Sequence, residues 1–141
     1  MAGRGGATLV GIHDGARPLV ACAEVEAAVE RLRGDLGLAG VIVGLPSVDT
    51  LKEVDEAGVI IGTPDRSRLW RALTPQVFRW DVLARAYDQP EAVLAASTDD
   101  ASLVAALGGR VAVVEGSAEN LKVTTRTDLL LAEQILAERH R

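Results

Sequence analysis

With 141 residues, 48% of them hydrophobic and 25% charged, the chain can build one core and is too apolar to stay disordered. Its net charge of −5, with Lys and Arg scattered rather than clustered, gives no support to a nucleic-acid or membrane surface, and 3% aromatics leaves no platform for stacked bases. The single cysteine, Cys22, excludes an internal disulfide framework and a cysteine-based zinc cage, and a small buried thiol is expected there.

Residues 1–6 are small and glycine-rich with one Arg. They lack the apolar core of a secretory signal, and no segment is long enough to cross a bilayer, so a cytoplasmic location is expected. The apolar run Ala7 to Ile12 then stops at His13-Asp14-Gly15-Ala16-Arg17-Pro18. That pattern reads as a buried strand emptying into a loop, and in open α/β sheets ligands bind at the carboxyl ends of strands. Asp14 there suits a divalent cation and Arg17 a phosphate. On these residues alone the favoured reading is plainer: the two side chains pair with each other or satisfy a turn.

Ala23 to Arg33 carries Val25, Val29 and Leu32 on one helical face, with Glu24 and Glu26 early and Arg31 and Arg33 late, as the helix dipole favours. Gly34 and Gly37 end it, and Ala39 to Gly44 reads as a second buried strand. This βαβ unit predicts parallel pairing with a right-handed crossover. Leu51 to Val54 and Val59 to Gly62 flank the turn Asp55-Glu56-Ala57-Gly58 and predict a β-hairpin standing away from the main sheet.

Helices are expected over Trp80 to Tyr87 and Ala101 to Leu107, the second capped from Thr98, Asp99 or Asp100 and stopped by Gly108-Gly109. Val111 to Val114 is a third buried strand, and a short strand is expected around Leu121 to Val123. Thr125-Arg126-Thr127-Asp128 has the capping-box pattern, with Asp for the usual Glu, ahead of a helix whose Leu129, Ala132 and Leu136 share a face. The chain as a whole, 1–141, predicts a single α/β domain with the hairpin projecting from it over 46–66.

Four polar clusters interrupt these elements. They are Asp14 with Arg17, Pro46-Ser47-Val48-Asp49-Thr50, the stretch from Asp65-Arg66 through Leu73-Thr74-Pro75-Gln76, and Asn120-Leu121-Lys122-Val123-Thr124-Thr125. Singly each has a plain structural explanation. Thr50 suits a strand start, Arg66 a solvated face, Thr74-Pro75 a segment-ending turn and Lys122 a strand edge.

Taken in order, the clusters resemble the 2-C-methyl-D-erythritol 4-phosphate cytidylyltransferase family. The matching run is His-Asp-Gly-Ala-Arg-Pro, Pro-x-x-Asp-Thr-Leu-Lys, Asp-Arg-Ser-Arg-Leu-Trp-Arg-x-x-Thr-Pro-Gln-x-Phe, Thr98 to Ser102, and Val114-Glu115-Gly116 through Asn120-x-Lys122-x-Thr124-Thr125. It extends from about Leu9 to Leu136. The resemblance implies a Rossmann-like nucleotidyltransferase sheet and an enzyme that transfers CMP from CTP to the phosphate of methylerythritol phosphate, releasing pyrophosphate with Mg²⁺. It implies that Asp14 holds the metal, that Arg17, Thr50, Arg66 and Thr74 surround methylerythritol phosphate, and that Lys122, with Arg66, serves the reacting phosphates. The hairpin becomes an arm that interlocks with a second subunit, so a homodimer with composite sites is expected. No side-chain nucleophile is required, because the substrate phosphate attacks directly and cations offset the repulsion between the two anions.

Family members open with a strand and a glycine-rich loop that cradles the CTP triphosphate. Residues 1–6 have a superficial likeness to that loop but lack its strand–loop–helix setting. The sequence therefore predicts a sheet truncated at its first strands, with a long apolar edge exposed, and impaired turnover of CTP by this chain alone. Val77 stands where relatives usually carry Gly or an aromatic.

A cytidylyltransferase for ribitol 5-phosphate shares the His-Asp loop, Thr-Pro-Gln and Asn-x-Lys. The Asp65 to Arg71 and Asp49 to Lys52 segments fit the first family better. A non-catalytic dimerising module that binds a sugar phosphate is the alternative of another class. A phosphohydrolase built on His13-Asp14 has only His140 as a further histidine, too few ligands for its metal site.

Overall fold

The computed structural model describes residues 8–141. The glycine-rich residues 1–6 lie outside that range. Strand β1 (Leu9–Ile12) leads through the His13 to Val20 loop into helix α1 (Cys22–Gly34), and β2 (Gly40–Pro46) follows. A separate two-stranded ribbon, β3 (Glu53–Val54) and β4 (Ile60–Gly62), precedes a single 3₁₀ turn at Arg66–Arg68. Then come β5 (Trp70–Arg79), helices α2 (Trp80–Tyr87), α3 (Glu91–Ala96) and α4 (Asp100–Ala106), strand β6 (Val111–Glu115) and helix α5 (Arg126–Arg139).

The main sheet has the order β1-β5-β2-β6. The expected parallel pairing of the first two strands is corrected here. β5 lies between them, antiparallel to both, with Val10 opposite Phe78 on one side and Gly40 opposite Phe78 on the other. The parallel pair is β2 with β6, in register from Gly40–Val111 to Gly44–Glu115. β5 hides in the sequence because Pro75 sits inside it. The register of β5 against β2 shifts between Ile42 and Gly44, so Pro75 falls in an irregular stretch where a missing N–H costs no ladder bond.

Two apolar clusters sandwich the sheet. Val41, Val43, Leu73 and Val77 meet Ala28 and Leu32 of α1, while Phe78 and Ala39 meet Leu83, Ala86, Leu103 and Val104 of α2 and α4. Covered on both faces, β2 reads as an unbroken apolar run instead of an alternation. The sheet edges are β1, only four residues long, and β6, which is half-buried where a fully buried strand is expected.

Other expectations shift in detail. On α1 the buried residues are Glu24, Ala28 and Leu32, and Val25 is exposed. Cys22, at the first turn, is exposed rather than buried. On α5 the Thr125–Asp128 box forms as expected, yet only Ala132 is buried and Leu129 and Leu136 stay exposed. Residues 121–124 are an extended loop, not a strand; Val123 N–H donates to the Ala16 carbonyl across a loop-to-loop contact of 2.8 Å. The hairpin is present with shorter strands than expected, and residues 48–61 are all exposed.

Candidate active site

β1, β2 and β6 run parallel, so their carboxyl ends lie at one end of the sheet. The loop leaving β1 places Asp14 there. Its main-chain carbonyl accepts from Arg17 N–H at 2.9 Å and its Oδ1 accepts from Ala16 N–H at 3.1 Å, a tight turn that fixes the carboxylate. The Lys122 ammonium sits 2.8 Å from Asp14 Oδ2. Hydrogen bonding from Lys122 first, then from the Ala16 N–H, holds the Asp14 carboxyl below the usual carboxylate range.

β5 delivers Thr74 to the same place. Its Oγ1 accepts from Asp14 N–H at 3.0 Å and lies 2.9 Å from His13 Nδ1. His13 Nε2 is 2.9 Å from the Arg17 carbonyl, which can only accept. The network therefore assigns the proton of a neutral ring to Nε2 and makes the Thr74 hydroxyl the donor to Nδ1.

Arg17 reaches inward and donates from a terminal nitrogen to the Asn120 carbonyl at 2.7 Å. Burial pulls its guanidinium below the ordinary arginine value, opposed by Asp14 and reinforced by nearby Arg71. It remains a cation at any working pH. A cavity of about 400 Å³ opens beside these groups, with Arg17, Arg71 and Lys122 on its walls together with Asn120 and Asp128. The Asp128 carboxylate already accepts from the N–H groups of Thr124 and Thr125 and from the Thr124 hydroxyl. Three cations thus face one spoken-for carboxylate, a cavity suited to a phosphorylated ligand.

The structure gathers Asp14, Arg17, Thr74 and Lys122. It does not bring Thr50 and Arg66 to them. Both lie exposed at the base of the hairpin, where Arg66 donates to the Val48 carbonyl at 2.7 Å. The site also takes in His13, Glu24, Arg71 and Asn120, to which the sequence assigns no role in it. His13, Arg71 and Asn120 lie inside the quoted motifs, which is their available signal. Glu24 reads in sequence as an ordinary first-turn acid, and nothing marks it as buried.

A larger cavity, about 440 Å³, lies at the opposite end of the sheet beside Arg79, Arg85 and Arg110 and holds none of the expected site residues. Among the described residues no cluster of three His, Cys, Asp or Glu side chains forms a protein-only metal cage, and no helix is long and apolar enough to cross a membrane.

A layered α/β sheet with an acid–cation cluster at the carboxyl ends of its strands defines an α/β protein of the class that binds phosphorylated ligands there. A profile of the family described as "IspD: 2-C-methyl-D-erythritol 4-phosphate cytidylyltransferase" matches residues 1–138. The chain belongs to that family. The enzyme of that name from Syntrophotalea carbinolica is 49% identical over 128 residues, covering 91% of this chain and 53% of the relative. The crystal structure of 4-diphosphocytidyl-2C-methyl-D-erythritol synthase from Anaerococcus prevotii superposes with a TM-score of 0.81 at 30% identity, covering 96% of this chain and 62% of that one. The Thermus thermophilus cytidylyltransferase gives a TM-score of 0.78 at 34% identity, covering 92% and 62%. The chain spans about half the length of the curated relatives it matches.

Proposed function

We propose that this chain carries the methylerythritol-phosphate side of a site that transfers CMP from CTP to that phosphate and releases pyrophosphate. The observation that carries the reading is that Asp14, Thr74 and Lys122, from three separate segments, are bonded together beside a cavity whose walls carry Arg17, Arg71 and Lys122. The substrate phosphate oxygen attacks the α-phosphorus of CTP, and the bond from that phosphorus to the bridging oxygen breaks, so pyrophosphate leaves with the electron pair. Arg17 and Arg71 hold the attacking phosphate. Lys122 offsets the charge that gathers on the phosphates, and Thr74, held by His13, lines the approach. Cations fixed in advance at such a site lower the barrier because no solvent has to reorganise as charge develops.

Magnesium typically takes one or two protein carboxylates and fills its shell with phosphate oxygens and waters, so a single carboxylate such as Asp14 fits that ion. Asp14 would hold the ion there, and its charge would help neutralise the reacting phosphates.

Thr50 and Arg66 serve methylerythritol phosphate from the arm of a second copy, making the working unit a homodimer in the cytoplasm. The arm supports this with Val54, Val59, Ile60 and Ile61, all more than half exposed on a ribbon whose two strands pack chiefly on each other. Such a patch is suited to burial against a partner.

The test is pyrophosphate release by the purified chain with CTP, Mg²⁺ and methylerythritol phosphate, beside Asp14→Ala. Release above background that disappears in the variant is expected. Release that persists in Asp14→Ala, or no release together with no calorimetric binding of methylerythritol phosphate, overturns the reading.

A further inference from the structure

Three polar side chains are buried among the described residues, and two of them, Glu24 and Asn120, bond each other. Glu24 is 6% exposed and Asn120 1%. A buried carboxylate is costly unless its lone pairs are filled. Glu24 fills them with Ala21 N–H at 2.9 Å, Ser117 N–H at 2.9 Å and Asn120 Nδ2 at 3.1 Å. Asn120 Nδ2 also donates to the Thr74 carbonyl at 2.8 Å. Both partners of that nitrogen are acceptors, so the amide cannot be flipped, and its Oδ1 is left without a partner in the protein.

Two bonds of Asn120 end on segments that carry a site residue. One reaches Thr74 itself on β5. The Asn120 carbonyl receives Arg17 from the loop after β1. Two residues on, the same loop presents Lys122 to Asp14. Glu24 anchors the far side of the loop at Ser117 and belongs to the helix that follows the Asp14 turn. A Cβ at Gly116 would collide with Val43 and with the Glu24 carboxylate, so the loop lies directly against this pin.

We propose that Glu24 and Asn120 are positioning residues that set the loop carrying Lys122 at the height where its ammonium meets Asp14. Neither lies within bonding reach of the Asp14 carboxylate or the Lys122 ammonium, and both act through the main chain. The inference rests on the reading that Asp14 and Lys122 form the working pair, but its test needs no turnover. Buried polar pairs of this kind specify one arrangement because any other leaves a charge unpartnered.

Lys52 and Lys122 are the two lysines of the sequence, so reductive ¹³C-dimethylation of the full chain gives one resolvable NMR signal for each. Asp14→Asn supplies the reference position of Lys122 without its partner. Asn120→Ala, checked for folding by circular dichroism, is expected to move the Lys122 signal toward that reference and leave Lys52 unmoved. Glu24→Gln, which keeps the volume, is expected to move it the same way by less. A folded Asn120→Ala protein with Lys122 at its wild-type position overturns the proposal. If that variant does not fold, an unmoved Lys122 signal in Glu24→Gln overturns it instead. Failure of pyrophosphate release with these shifts intact would count against the proposed reaction and not against the positioning role.

Discussion

The Lys122 ammonium meets the Asp14 carboxylate at 2.8 Å, although one residue opens the loop after the first strand and the other precedes the last helix. Both are partly exposed, so the pair adds little to stability and its value lies in placing opposite charges where phosphates react. Asp14→Ala and Lys122→Ala should each lower kcat by about a hundredfold. The double variant should lose less than the product of the two, because the groups act as a unit. Steady-state kinetics on the four proteins checks this.

Asp14 should also show its partner in a titration. Its carboxyl is held below the ordinary value of 3.8 by Lys122 and the Ala16 N–H. The sign follows from linkage: the contribution to stability is complete above the ordinary value and fades as pH falls through the lowered one. Carboxyl NMR should place the Asp14 midpoint under 3.8, and Lys122→Ala should raise it.

Helix α5 carries a second acid-sensitive group. Asp128 is brought down to about 2 by bonds from the Thr124 main chain and the Thr125 and Thr124 side chains. Its cap is intact above the ordinary value of 3.8 and is lost as pH falls toward about 2. Asp128→Asn should remove that slope from the helical circular dichroism signal. Thr125→Ala should cost about 1 kcal/mol at neutral pH, measured by chemical denaturation.

Much of this was legible in the sequence. The Asp14 loop announced itself as a polar corner after an apolar run, and the Thr125–Asp128 box and the turn at Asp55 to Gly58 follow from local chemistry. What was hidden depends on distant partners. β5 looked like a turn because Pro75 breaks the strand pattern, and only its place between β1 and β2, with an irregular register, makes it a central strand. Glu24 reads only as a first-turn acid, because its burial is decided by Asn120 and Ser117, far along the chain. The resemblance groups the arm residues Thr50 and Arg66 with the site, and within one chain they stand apart from it.

Gly40 tests the packing of β5 against β2. A Cβ there would run into the ring of Phe78, which is fully buried. Overpacking a site with no room typically costs about 1–3 kcal/mol, so Gly40→Ala should lower stability by that order. Gly34→Ala, where a Cβ meets nothing, should not carry such a clash. Urea unfolding of both variants decides it.

The arm should govern assembly without governing folding. Ile61→Asp, at a position 61% exposed, should shift the sedimentation coefficient from dimer toward monomer. Stability should stay within about 0.5 kcal/mol, as for other surface changes. A wild-type chain that sediments as a monomer at all concentrations would remove the arm's proposed role.

The most direct measurement is ³¹P NMR of the chain incubated with CTP and Mg²⁺ and either methylerythritol phosphate or ribitol 5-phosphate. The paired resonances of a new cytidine diphosphate ester, together with pyrophosphate, are expected with methylerythritol phosphate, and far less product with ribitol 5-phosphate. Equal or greater product from ribitol 5-phosphate, or no diphosphate ester from either, would rule out transfer to methylerythritol phosphate by this chain.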